Sequence, residues 1–319
     1  MTDLAGPELG HQHERSVTPE VAPRDAFVDE VEGIVVHSRS FGRQAWDRFR
    51  RHRVAVVAAL MLVVMAVAFW VGPKLSPYEF TEITIDIKQG PSLSHPFGTD
   101  PIGRDLMVRT FHGGRFSLRI AITVALLTTA IGTVIGAVSG YFGGLVDTLL
   151  SQLTNLFLIV PVIVVLLVVG IRWGASPNTV TVLLAFLLWP QIARVVRGLF
   201  LQYKEQEFVL AAKASGAGAA RIMFRHIVPN TFGPIIVNTT LLVGIAIILE
   251  STLSFLGLGV QPPTPTLGNL VEEAKGAIDS QPSRVLLPGG FVLLIALCIN
   301  FLGDGLRDAL DPTSRRVRG

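Results

Sequence analysis

Few side chains in this sequence are placed to do chemistry. Glu250 is the first, a carboxylate flanked by Ile247, Ile248, Leu249 and Leu253. Leaving it charged in hydrocarbon would cost on the order of several kcal/mol. It therefore needs a hydroxyl, water or a partner subunit, because its own helix offers no cation. Two readings stand: Glu250 lines a pathway or gate, or it plays a structural hydrogen-bonding role. His11 and His13 form an H-x-H pair with no third ligand nearby, too little for a metal site. Cys298 is the only cysteine, which excludes an internal disulfide and a C-x-x-C site. Its apolar neighbours make it an inert core thiol. Asp100, Arg104 and Asp105 are spaced to form a local ion-pair network in a turn-rich loop. No G-x-x-x-x-G-K-[ST], H-E-x-x-H or G-x-S-x-G run occurs. Nothing here argues for an enzyme, a bound cofactor or a metal. If ATP drives this protein, another subunit must hydrolyse it.

The elements around these residues are apolar. Half of the 319 residues are hydrophobic and only 16% are charged, against about a quarter in soluble domains. Six runs are long enough to cross a hydrocarbon core of about 30 Å: 54–71, 117–139, 149–169, 180–196, 231–255 and 285–302. Pro161 should bend the third and Pro190 should break the fourth. Before the first lies a basic amphipathic stretch with Arg43, Arg48, Arg50, Arg51 and Arg53 around Phe41, Trp46 and Phe49, suited to the membrane surface. Residues 1–38 are polar and proline-bearing, without apolar periodicity. They read as a flexible tail, with no signal-peptide core.

Lysine and arginine concentrate on one side of the spans, at 43–53, 194–225 and 307–318. That excess places both termini in the cytoplasm and favours a membrane over a nucleic-acid partner. Gly132, Gly136, Gly140 and Gly144 recur every fourth residue. They predict a bare helical edge that another helix approaches closely, within the bundle or from a partner.

The stretch 207–230, EFVLAAKASGAGAARIMFRHIVPN, is helical and basic yet lies between spans. Phe208, Ala211, Ala212 and Ser215 share a face of small residues. Gly216, Ala217 and Gly218 break the helix, and a second helix carries Ile222, Phe224, Ile227 and Val228 beside Arg221, Arg225 and His226. Pro229 should end it. Two short helices with a glycine bend cannot bury their apolar residues alone. They dock on a partner, or they pack on their own chain.

The segment resembles the EAA loop of ABC-importer permeases, with Ala211, Ala212, Gly216 and the end from Ile227 to Pro229 in matching places. The glutamate that often precedes the alanines is Leu210 here; the nearest carboxylates are Glu207 and Glu205. The run HPFGTDPIGRD resembles the FGTDxxGRD segment of C-type permeases of dipeptide, oligopeptide and nickel importers. ILESTLSFLGLGVQPPTPTLG and NFLGDGLRDALDP resemble the same family, and in the latter Arg307 can pair with Asp304. Together these runs cover about 40–315.

The resemblance implies an all-α membrane protein with a five-helix, MetI-like core plus an added N-terminal span. The divisions it suggests are a 1–38 cytoplasmic tail, 39–114 with the amphipathic helix, first span and outer loop, 115–305 as the type-1 permease domain, and 306–319 as a cytoplasmic tail. It implies a bacterial inner-membrane subunit paired with a homologous B-type permease, two ATPase subunits and an extracytoplasmic solute-binding protein. ATP is used by the partners. The implied cargo is a di- or oligopeptide, with nickel or another small solute as the alternative. Glu207, Ala211, Ala212, Gly216, Arg225, His226 and Pro229 are the implied ATPase-coupling residues. A secondary transporter should show an internal repeat, and a membrane enzyme several titratable groups in its spans. Neither is seen.

Overall fold

A computed structural model describes residues 41–173 and 176–310. The tail 1–38 with His11 and His13, and the basic C-terminal residues Arg315, Arg316 and Arg318, lie outside the described residues. From Gly42 onward the chain forms one compact unit; of the other unit, Met1–Phe41, only Phe41 is described. Among the described residues the regular elements are helices, joined by irregular segments such as 76–105, with an isolated bridge between Thr99 and Asp105.

The basic amphipathic stretch is helix α1, Phe41–Arg51. His52 separates it from α2, Arg53–Leu75, and caps it by accepting a hydrogen bond from the Ala55 amide at 3.1 Å. The second span, α3, runs Leu106–Phe142. It starts eleven residues before the apolar run because the Asp105 carboxylate caps it, accepting from Val108 N at 2.8 Å. The third span is two helices, α4 (Gly144–Ile159) and α5 (Val162–Trp173), bent by 75° at Pro161.

The fourth, α6, Pro177–Tyr203, runs unbroken through Pro190, contrary to the expected break. Proline removes one backbone donor, but Pro190 is buried along the contact with α3, and that packing holds the helix together. The loop helix α7, Glu207–Ala214, and the short α8, Ala219–Ile222, follow. Then comes α9, Val228–Phe255, and beyond it α10, Leu267–Ala274, and α11, Ser283–Leu310. By length and composition, five helices can cross a membrane, or six spans if the bent pair is one.

The longest contact is between α3 and α6, and the glycine edge explains it. A Cβ at Gly132 would lie 2.7 Å from Ile192 Cβ, at Gly136 2.9 Å from Val196 Cβ, and at Gly140 2.7 Å from the Arg197 carbonyl oxygen. The seam lies within the bundle. Gly144 is not part of it: it opens α4 and has nothing within 4 Å.

α2 packs on α3 and α11 through Phe69, whose ring meets Phe291 edge-on at 5.3 Å. Its other face, with Leu60, Val63, Val64 and Val67, is exposed. Apolar faces of this kind are compatible with lipid or a partner helix, not water.

Candidate functional site: an exposed loop and a buried carboxylate

The loop 204–218 stands off the end of α6. Val209 is fully buried against the bundle, and Ala212 packs partly against the same core. The expected small face is therefore divided. Positions 209 and 212 are three apart and turn inward, while Ala211, Ser215 and Glu207 are exposed. Ala212 is not a free docking position in this conformation.

Gly216 ends the helix with φ +79°, a conformation that suits glycine. The large apolar residues left uncovered are Phe208 at 39%, Leu210 at 47% and Phe224 at 68% exposure. The sequence names Phe208 and Phe224 among the apolar residues of the two helices and Leu210 only as the departure at the glutamate position; which of them stay outside is visible only in the fold. Arg221 and Arg225 are exposed beside Phe224, and His226 is half-buried.

Pro229 does not end the second helix. Ile222 passes into a π-helical turn, Met223–Ile227, which passes into α9 with proline in its first turn. The Val228 N–H just before it donates to the Met223 carbonyl in the π register, and the chain stays helical across a residue with no donor of its own. The turn buries Met223 and Ile227 while leaving Phe224 and Arg225 outside. The extra residue per turn rotates the exposed side chains off the buried stripe.

Glu250 lies twenty-one residues after Pro229 on α9, about 32 Å away at 1.5 Å per residue. The structure does not bring it together with the expected coupling residues. It is 0% exposed. Its Oε2 accepts from Ser117 Oγ of α3 at 2.9 Å, and its Oε1 accepts from Ser254 Oγ at 2.9 Å. Each donor is itself approached by another. Leu267 N donates to Ser117 Oγ at 3.2 Å and Thr266 Oγ1 to Ser254 Oγ at 3.3 Å.

Thr266 caps α10 in a reciprocal box with Asn269. Gly268 lets α10 approach so closely that a Cβ there would sit 2.6 Å from the Ser251 carbonyl oxygen. Glu250 thus joins α9, α3 and the start of α10. Among the described residues its partners are hydroxyls of its own chain.

The other end of α10 is held by a charged cluster that the sequence only half disclosed. Asp100, 1% exposed, accepts from Ile102 N and Arg104 N at 2.9 Å, from Arg104 Nε at 2.6 Å and from Arg109 Nη1 at 2.9 Å. Burial pushes the Asp100 carboxyl up, but the donors from Arg104 and Ile102 outweigh it and hold the group below the usual carboxylate range. Arg109 then grips Glu273 of α10 through Nη1 at 2.8 Å and Nη2 at 3.0 Å.

Asp105 is outside the expected network: besides capping α3, it meets His95 Nδ1 at 2.8 Å. Gly98 and Gly103 of the same run have φ of +81° and +87°, with Gln89 and Thr84 carbonyls packed where a side chain would start. The run FGTDPIGRD is thus a folded knot whose glycines, carboxylates and single arginine each have a structural reason. Near the C-terminal end of α11, Asp304 and Arg307 form no ion pair among the described residues; Asp308 instead faces His52 at 3.6 Å.

The described residues thus form a helical bundle with a loop standing off one end and a short helix pinned at the other. The family model of the binding-protein-dependent transport system inner membrane component matches residues 132–316, and that of the N-terminal TM domain of oligopeptide transport permease C matches 40–94. The chain belongs to the first of these families and is a multi-pass inner-membrane protein.

It is 41% identical over 289 residues to the oligopeptide transport system permease protein OppC of Salmonella typhimurium, covering 89% of this chain and 95% of that one. It is 37% identical over 295 residues to the OppC of Bacillus subtilis, covering 92% and 97%.

Proposed function

We propose that this chain is the C-type permease subunit of an ATP-driven importer of di- or oligopeptides. It would form half of the pathway beside a B-type permease, with two ATPase subunits hydrolysing ATP and an extracytoplasmic protein delivering the peptide. The relatives of near-full length named oligopeptide permeases support the cargo; nothing favours nickel. The observation that carries the coupling role is the loop itself. It is anchored by Val209 yet leaves Leu210, Ala211, Phe224 and Arg225 uncovered at one end of the bundle. An apolar patch rimmed by basic residues fits a cleft in a soluble subunit.

Ala211→Arg and Gly216→Pro should leave the protein in the membrane and lower co-purification of the ATPases at least tenfold, with loss of peptide-stimulated ATP hydrolysis. Proline cannot adopt the φ of +79° at Gly216. ATPase recovery and stimulation at wild-type levels in both variants would refute the coupling role.

The same reading places the loop and both termini in the cytoplasm, and 76–105 and 256–282 outside. Ser94 and Gln202 are exposed at opposite ends of the bundle. In a Cys298→Ser background, Ser94→Cys should react with an impermeant maleimide in intact cells, and Gln202→Cys only after lysis. The reverse pattern would invert the topology.

A further inference from the structure

Between α3, α4 and α6, toward the loop end of the bundle, lies a cavity of about 270 Å³. Its walls include Gly136, Ser151, Thr154, Asn155, Ala193 and Arg194. Two arginines stand here, and the carboxylate beside them serves only one. Asp147 accepts from Arg197 Nε at 2.6 Å and Nη2 at 2.7 Å, and from Ser139 Oγ at 2.5 Å and Ser151 Oγ at 3.2 Å. Both of its oxygens are engaged. Arg194 has a single neutral partner: its Nη2 donates to Asn155 Oδ1 at 2.9 Å. No carboxylate pairs with it among the described residues.

Arg194 is nine residues from the end of α6 at Tyr203, about 14 Å at 1.5 Å per residue. Its side chain is exposed on the cavity wall, where a guanidinium is open to water or an anion. Its remaining N–H groups and the Asn155 amide form a fork of donors at a cavity with small-residue walls. A guanidinium fork matches a carboxylate bidentately. The volume suits the last residue of a peptide rather than a whole one.

We propose that this cavity is a way-station in the permease for the C-terminal carboxylate of the transported peptide, with Arg194 as its anion-binding group and Asn155 as its positioning partner. This rests on the peptide reading above. Asn155 is what keeps the site open: an aspartate in its place would fill it with a fixed internal anion.

The test is uptake by the full complex in proteoliposomes, using one oligopeptide as free acid and as C-terminal amide. Each rate is taken at a saturating binding-protein–peptide complex, so that capture is not limiting. Wild type should import the acid faster than the amide. Asn155→Asp and Arg194→Gln should each lower free-acid uptake about tenfold and leave amide uptake within twofold. A peptide with a photo-reactive diazirine at its C-terminal residue should label α4 near Ser151–Asn155 in wild type and not in Arg194→Gln; the same group at the N-terminus should not.

Equal losses for acid and amide in both variants, or no loss in either, would overturn the proposal. So would tight retention of an anionic phospholipid lost selectively in Arg194→Gln, with peptide discrimination unchanged. If wild type imports neither form while importing another solute, it is the peptide reading that fails.

Discussion

Glu250→Leu is expected to remove most assembled complex from the membrane, whereas Glu250→Gln should assemble. The carboxyl is the acceptor on which four donors converge, directly from Ser117 and Ser254 and at one remove from Leu267 N and Thr266. Leucine leaves both serine hydroxyls without their acceptor at a fully buried place. An unsatisfied buried polar group costs roughly 1–3 kcal/mol, and two are created at once. The capped start of α10 also loses its tie to α3 and α9.

Glutamine keeps one accepting oxygen and can donate its amide to the other hydroxyl. It should cost about 1 kcal/mol and lower the melting temperature of the purified complex by a few degrees. If Glu250 lined an open passage instead, both variants would assemble normally and only uptake would change. Complex yield, melting temperature and peptide uptake, measured side by side, separate the two. Normal yield and melting for Glu250→Leu would refute the anchoring role.

The second large effect is expected at the glycine seam. Gly136→Leu places a side chain where the Ala193 carbonyl oxygen and Val196 already sit. The obstructing atoms include backbone, which cannot rotate away, so α3 and α6 must separate along their whole contact. Overpacking in a tight core costs typically 1–3 kcal/mol, sometimes more; here it also loosens Gly132 and Gly140. Folded protein recovered in mild detergent should fall at least fivefold.

Gly198→Ala on α6 is the control, because nothing lies within 4 Å of its would-be Cβ. Alanine in an open helical position should be neutral or stabilising by about 1 kcal/mol. A Gly136→Leu protein with wild-type yield and melting would show that the seam tolerates separation.

The spans are legible in the sequence because hydrocarbon imposes length and apolarity on each of them separately. The glycine edge is legible too, since a four-residue period is a local property. What escapes is whatever depends on pairing across the chain. Arg109 looks like a charge at odds with its apolar neighbours until Glu273, 164 residues away, is placed against it. Glu250 can be recognised as needing a partner, but Ser117, 133 residues away, cannot be selected from the many serines. Pro190 and Pro229 mislead because proline marks a break only where tertiary packing or a preceding π turn does not keep the chain helical. On the loop, small-residue composition draws the eye to Ala212, while the π turn decides which apolar side chains stay outside.

That π turn also has a mechanical meaning. Because it joins α8 to α9 without an interruption, Ala219–Phe255 behaves as one helical stretch of 37 residues, about 55 Å long. A force applied beside Phe224 need not be relayed through side-chain contacts to reach the opposite face of the membrane. It arrives as leverage. A tilt of about five degrees about one end carries the other about 5 Å over that length, close to the width of a helical turn. The fulcrum is the packing of α9 on α3 and α11, and the working end is the hydroxyl knot on Glu250.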